Sequence, residues 1–208
     1  MRVTVVGGTG RIGRLAVRRA IAAGHDLTTL AGHASPEPGV RSVIGDVRDP
    51  EVMLRALEGA DAVIAAIGPR ANTAEEAAIV EHGMRNLVEI ATALGVRRVI
   101  VLSGAAVDVS GDRKPLLDRL ASWFVRRAAR HVVGAKQREY KVLSASALDW
   151  TALRPPLVTN GAARGYRLVL ELRPGARVTR EDVAQALVDQ LVDPTYVRMA
   201  PFVLPGLG

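Results

Sequence analysis

The 208-residue chain contains no cysteine. Disulfides, thiolate metal ligands and a cysteine nucleophile are therefore excluded, and the absence fits a reducing compartment. Aromatic residues are only 3% of the chain, too few for a platform on which nucleobases could stack. Long apolar runs are missing as well, since none approaches the roughly 20 residues that a bilayer-spanning helix needs. The first strand pattern begins at Arg2, which leaves no room for a signal peptide, and a cytoplasmic protein is expected. Acidic residues are in deficit: 28 Lys and Arg stand against 21 Asp and Glu, for a formal charge of +7. Most of the basic residues are arginines spread along helical stretches, with Arg126, Arg127 and Arg130 as the main cluster. They read as solvated helix faces and as an attraction for a polyanionic small molecule, and no nucleic-acid partner is expected. Hydrophobic residues at 49% and charged ones at 24% mark a globular chain. Its length suits one domain with a sizeable core.

What is present is concentrated at the start. Arg2-Val3-Thr4-Val5-Val6 is an apolar, β-branched run that reads as a buried parallel strand. It ends in Gly7-Gly8-Thr9-Gly10-Arg11-Ile12-Gly13, and an apolar-periodic helix follows through Leu15, Ala16, Val17, Ala20 and Ile21. Glycine lets the backbone turn sharply and approach a pyrophosphate, and the free N–H groups at a helix start favour its negative charge. The spacing is G-x-x-G-x-x-G rather than G-x-G-x-x-G, but strand, turn and helix occur in the order a dinucleotide requires.

The position about twenty residues beyond such a loop reads the adenosine ribose, an acid binding the 2′-hydroxyl and a basic group a 2′-phosphate. Here the second strand, 27–31, is followed by Gly32-His33-Ala34-Ser35, with no acid. NADP is thus preferred over NAD, with Arg11 and His33 as the cationic candidates. A third strand over 40–44 leads to Gly45-Asp46-Val47, and Asp49 with Pro50 opens a helix as N-cap and first position. Asp46, at the carboxyl end of a strand, is placed to accept from an adenine amino group. A fourth strand over 61–67 ends in Ala65-Ala66-Ile67-Gly68, small residues past which a ribose and pyrophosphate can run. A long helix over 73–94 and a fifth strand, 99–102, deliver Ser103 to the same edge. Alternating strands and helices of this kind make an α/β fold with a doubly wound parallel sheet. No internal repeat or linker divides it.

Further on, Pro115, Leu116, Leu117, Leu120, Trp123 and Phe124 form an apolar stripe on a basic helix. It reads as a lid over the substrate, a membrane-surface helix or a dimer contact. A helix starting near Gly134 carries Lys136, Tyr140 and Lys141; Lys136 and Tyr140 share a face, while Tyr140 and Lys141 diverge by about 100°. Thr179 and Asp182 form a capping box for the last helix, and 199–204 reads as a final strand.

Several of these segments together resemble one family: residues 6–13, Gly45-Asp46-Val47, Val101-Leu102-Ser103, Leu148-Asp149-Trp150-Thr151-Ala152-Leu153-Arg154-Pro155-Pro156 and Val178-Thr179-Arg180-Glu181-Asp182-Val183-Ala184. The chain is similar to the atypical short-chain dehydrogenase/reductases of the NmrA-like, NAD(P)H-binding group, and within it to the biliverdin reductase B/flavin reductase-like proteins. Of the readings of the basic helix the lid, over 109–133, is the one expected, and the resemblance implies one Rossmann domain over 1–208 with a small substrate-side C-terminal part at 155–208. It implies that Gly7, Thr9, Gly10, Arg11, Ile12 and Gly13 hold pyrophosphate, that Asp46 and Val47 flank adenine, and that Ala65, Ala66, Ile67 and Gly68 line the ribose. Ser103 would stand beside the nicotinamide, with Pro155 and Leu157 near its carboxamide end. Two departures are visible. Gly32 stands where NADP-preferring relatives often carry arginine, and the Tyr-x-x-x-Lys pair of short-chain dehydrogenases is absent, Tyr140 being followed directly by Lys141.

Hydride transfer needs a bound nicotinamide, a substrate against it and often a proton donor. Ser103 is the first candidate for a polar group at the reacting centre, and Tyr140 with Lys141 the second. Ser103 read structurally caps a strand end, and Tyr140 packs on the sheet. The expected function is hydride transfer from NADPH to a planar acceptor such as a flavin or quinone. A non-catalytic, NmrA-like dinucleotide sensor is the alternative, and a carbonyl reductase or sugar-type epimerase or dehydratase a further one. No metal is expected, the substrate is a small molecule, and the protein is a monomer or homodimer.

Overall fold

The computed structural model describes residues 1–109, 112, 129–172 and 175–206. The stripe at 115–124 and Arg126 and Arg127 lie outside the described residues, as does most of the 109–133 segment expected to form a lid.

Six parallel strands form the central sheet: β1 (Arg2–Val6), β2 (Asp26–Ala31), β3 (Arg41–Ile44), β4 (Ala62–Ala65), β5 (Arg98–Leu102) and β6 (Asp149–Leu153). Their spatial order is β3-β2-β1-β4-β5-β6, every neighbouring pair parallel. The chain thus winds outward from β1 in one direction and from β4 in the other. The helices joining them are α1 (Gly13–Ala22), α2 (Pro50–Leu57), α3 (Ala74–Ala93) and α4 (Arg130–Ser144).

Side-chain alternation along each strand dictates the two layers. Val3 and Val5, Ala62 and Ile64, and Ile100 face one side, where Ala16, Val17 and Ala20 of α1 meet Val183 and Leu187 of the last helix, α5 (Arg180–Asp189). Val6, Val63, Ala65, Val99 and Val101 face the other, under Met53 and Leu57 of α2, Met84 and Leu87 of α3, and Leu143 of α4. Strands apolar on both faces are what a sheet covered on both sides requires.

Helix starts follow the local chemistry. Asp49 caps α2 through the N–H groups of Glu51 and Val52, with Pro50 in the first turn, and Thr73 caps α3 through Glu76 N–H. Thr179 caps α5 by accepting from Asp182 N–H, and its hydroxyl donates to the Asp182 carboxylate at 2.7 Å. That carboxylate also accepts from the backbone N–H groups of Arg164 and Gly165, so the capping box ties a preceding loop to the helix.

Some boundaries differ from the expectation. The helix expected near Gly134 begins at Arg130, and the final strand is β10 (Phe202–Pro205). β6 was not anticipated as a strand. Three short strands complete the C-terminal part: β7 (Leu157–Thr159) parallel to β9 (Arg177–Thr179), and β8 (Tyr166–Val169) antiparallel to β10. Arg154, next after β6, is fully buried; its guanidinium donates to both carboxylate oxygens of Asp112 and to the Ala200 carbonyl, and stacks 3.9 Å from the Phe202 ring centroid. Among the described residues no helix is long and apolar enough to cross a membrane.

Candidate functional site

Where winding reverses, between β1 and β4, the carboxyl ends of the strands diverge and leave a crevice, the general location of ligands in open α/β sheets. Here a cleft of about 790 Å³ opens there, lined by Gly7, Thr9 and Gly10 after β1, Ala31, Gly32 and His33 after β2, Asp46, Val47 and Arg48 after β3, and Ala66, Ile67, Gly68 and Arg70 after β4.

The glycine loop is shaped by contacts that no other residue allows. Gly7 has φ +84°, and a Cβ there would stand 2.8 Å from the Ala66 carbonyl oxygen. A Cβ on Gly13 would stand 2.1 Å from the Gly7 carbonyl oxygen, so α1 can begin against the loop only because that position lacks a side chain. The Gly7 N–H donates to Leu30 and the Ala66 N–H to Val6, which sews the ends of β1, β2 and β4 into one floor. The start of α1 is the counterpart. Its N-cap, Ile12, makes no side-chain capping bond, and its first turn carries no acid. α2, α3 and α5 instead have Asp or Thr caps and acids in the first turn. A helix start without a side-chain cap or first-turn acid, following directly on a glycine-floored cleft, suits a pyrophosphate, so the residues present fit a dinucleotide.

The sequence-derived residues divide by position. Gly7, Thr9, Gly10, His33, Asp46, Val47, Ala66, Ile67 and Gly68 line the cleft. Arg11 is exposed and Ile12 half-buried beside it, Gly13 is buried against the loop, and Ala65 is buried in the core. Pro155 is buried and Leu157 exposed beyond β6. Asp46 forms a close ion pair with Arg48, whose guanidinium donates to both carboxylate oxygens at 2.6–3.1 Å while its backbone N–H donates at 2.8 Å. These bonds hold the Asp46 carboxyl below the ordinary carboxylate range.

Ser103 follows β5 with its backbone N–H bonded to the Leu153 carbonyl at 2.8 Å; its Oγ is buried and has no hydrogen-bond partner among the described residues. Close by, the Lys136 ammonium donates to the carbonyl oxygens of Ile67 (2.6 Å) and Leu102 (2.7 Å) and to the Glu139 carboxylate (2.8 Å). Glu139 is fully buried, and burial pushes its carboxyl up against the pull of Lys136. Tyr140 is half-buried with its ring edge-on to Trp150, centroids 5.8 Å apart, and burial pushes its phenol up. Lys141 is exposed. Among the described residues no hydrogen bond joins the phenol to Lys136 or Lys141.

Sequence reasoning missed Arg48, Arg70 and Glu76, which line the cleft, and the Lys136–Glu139 pair beneath it. The pair had a readable signal. Ala135, Glu139 and Leu143 recur at four-residue spacing, which puts the acid in the middle of the buried stripe of α4. Arg70 had none, since its reach depends on how the β4–α3 loop folds.

The family model described as NAD(P)H-binding matches residues 7–194 of the chain. The chain belongs to this NAD(P)H-binding family. Its central sheet is that of a Rossmann-like fold, in agreement with the resemblance found in the sequence. Among relatives, the photosystem II assembly factor Ycf39 of Synechocystis sp. is 37% identical over 109 residues, half of this chain and 33% of that protein. The chain thus spans about a third of the length of that relative. Among solved structures, ChuY, an anaerobillin reductase from Escherichia coli O157:H7, superposes with a TM-score of 0.80 at 20% identity, covering 100% of this chain and 99% of that one. A short-chain dehydrogenase/reductase from Veillonella parvula DSM 2008, solved in complex with NADP, superposes with a TM-score of 0.76 at 23% identity, covering 97% and 93%. At these identities the superpositions establish the fold of this NAD(P)H-binding chain.

Proposed function

We propose that this NAD(P)H-binding protein is an oxidoreductase that passes hydride from NADPH to a planar acceptor such as a flavin or quinone. The observation that carries the reading is the cleft itself: a glycine floor at 7–13, an uncapped α1 and small residues after β4, all at the sheet's switch point. The cofactor, when bound, supplies the hydride. The chain's part is to bind, orient and polarise. The backbone N–H groups at the start of α1 hold the pyrophosphate, and Asp46 and Val47 flank the adenine. Ala66, Ile67 and Gly68 let the nicotinamide half lie close to the sheet, and Lys136, by bonding the carbonyl oxygens of Ile67 and Leu102, fixes that floor. Ser103, with a buried hydroxyl lacking a partner, is the proposed donor to an acceptor carbonyl. Residues 155–208 form the substrate side, with Pro155 and Leu157 nearest the cofactor. The lack of an acid after β2, where Gly32 and His33 line the cleft, supports NADPH over NADH. The anaerobillin reductase ChuY, alike in fold, supports a reductase.

A second reading, a dinucleotide sensor without turnover, is favoured by the proton-donor geometry. The Lys136 ammonium is committed to Glu139 and two carbonyls, and among the described residues no lysine is bonded to the Tyr140 phenol. Calorimetric titration with NADPH and NADH, followed at the nicotinamide absorbance band with a flavin and a quinone added, separates the two. Oxidation that depends on the acceptor supports the reductase; tight binding with no oxidation of either acceptor counts for the sensor. Failure to bind either nucleotide rejects both.

A further inference from the structure

We propose that Arg70, brought from the loop between β4 and α3, supplies the cation that selects a phosphorylated adenosine ribose. The inference rests on the cleft being a dinucleotide site, and it gives the ribose specificity a source other than Arg11 and His33, the cations the sequence suggested.

Three observations meet at one point. The residue after β2, the position that reads the ribose in this fold, is Gly32, which contributes no side chain. A Cβ built there would have Arg70 Nη2 as its near neighbour, at 3.8 Å. The guanidinium therefore crosses from the mouth of β4 to the mouth of β2 and occupies the place a longer side chain at 32 would face. Both residues line the cleft, together with His33, Asp46 and Arg48.

The charges decide which cation is available. Arg48 is spent on Asp46 through the hydrogen bonds described above. The Arg70 side chain makes no hydrogen bond or salt bridge among the described residues, and its charge reaches Asp46 only through space. Its backbone N–H donates to Glu76 Oε2 at 3.0 Å, and Glu76 lies in the first turn of α3, whose N-cap is Thr73. The loop that presents the guanidinium is thus tied to a capped helix while the head group stays open. A planar guanidinium offers paired N–H donors to a phosphomonoester, a match that a ribose hydroxyl cannot reproduce. Arg11, the cation suggested by the glycine loop, is exposed and does not line the cleft. The His33 ring sits 3.2 Å from the Ala34 carbonyl oxygen through Nδ1.

The test is calorimetry on the full chain and on Arg70→Gln with four probes: NADPH, NADH, 2′,5′-ADP and 5′-AMP. Arg70 is exposed, and an unchanged thermal midpoint verifies that the variant folds. In the wild type NADPH binds more tightly than NADH. Loss of a charge-assisted contact weakens NADPH and 2′,5′-ADP by about ten- to hundredfold, while NADH and 5′-AMP shift by less than about twofold. Equal weakening of all four probes, or an unaltered NADPH-to-NADH ratio, overturns the assignment, as does transfer of the selective loss to His33→Ala or Arg11→Ala. Wild-type protein that binds both dinucleotides equally defeats the Arg70 assignment alone. Wild-type protein that binds neither defeats the reading of the cleft, and Arg70 with it.

Discussion

The ammonium of Lys136 lies 2.8 Å from the carboxylate of Glu139, three residues along the same helix, and both side chains are largely withdrawn from water. The ammonium also donates to two carbonyl oxygens, those of Ile67 and Leu102. One charge pair thereby clamps α4 to the carboxyl ends of β4 and β5, directly under the cleft.

Breaking the clamp from one side strands a charge. Lys136→Met leaves the Glu139 carboxylate buried without its partner, for which a loss of about 3–5 kcal/mol is expected. Urea denaturation at neutral pH measures it. The deficit narrows in mildly acidic buffer, where Glu139 takes up a proton. The double variant Lys136→Met/Glu139→Leu recovers at least half of the loss, because no buried charge remains. A single variant as stable as the wild type would mean that water reaches Glu139.

Glycine at 13 is set by packing and glycine at 10 far less so. A Cβ at Gly13 would overlap the Gly7 carbonyl oxygen at 2.1 Å, whereas one at Gly10 would meet the same oxygen at 3.2 Å. Gly13→Ala must therefore push α1 off the loop, costing about 3 kcal/mol and abolishing dinucleotide binding, while Gly10→Ala loses under about 1 kcal/mol. Thermal unfolding and calorimetry of the two variants side by side check the contrast, and equal behaviour refutes it.

How much of this was legible beforehand varied with how local the cause was. The loop at 7–13, the N-cap Asp49, the long helix expected from 73 and the first five strands follow from periodicity and neighbouring residues, and each appears within a residue or two of its expected bounds. β6 was harder to see: five residues bounded by Asp149 and the buried Arg154, with their partners supplied by β5 and by 199–202. Nothing within residues 149–153 announces that pairing. The cleft shows the same divide. Residues on strand ends were found from their place in the chain. Arg48 and Arg70 were missed because an arginine's head group lies far from its backbone, and only the folded loop determines where it arrives.

One acid-sensitive carboxylate lies where α3 meets α4. Hydrogen bonds from Arg85 first, then from Arg138, hold the Glu81 carboxyl below its ordinary value of 4.5. A depressed acid binds its proton less readily folded than unfolded. Its contribution is therefore complete above the unfolded value and is lost as the pH falls through the folded one. Glu81→Gln is expected to lower stability at neutral pH by about 0.5–1 kcal/mol. The variant's decline between about pH 5 and 3 becomes shallower. Parallel stability-against-pH curves for the two proteins would assign the acid transition to other carboxylates.

Ser103 separates stability from chemistry. Its hydroxyl is buried, and among the described residues nothing accepts from it or donates to it. A buried polar group without a partner costs free energy to keep, so Ser103→Ala is expected to leave the thermal midpoint unchanged or slightly raised. A hydroxyl that only capped the strand end would show the reverse, a fall in stability with turnover intact. The proposed role, donation to the acceptor beside the nicotinamide, predicts instead that NADPH affinity holds while acceptor-dependent kcat falls by about ten- to hundredfold. Unfolding, cofactor titration and steady-state kinetics on the one variant discriminate the roles, since a merely structural serine cannot lower kcat with both stability and cofactor binding preserved.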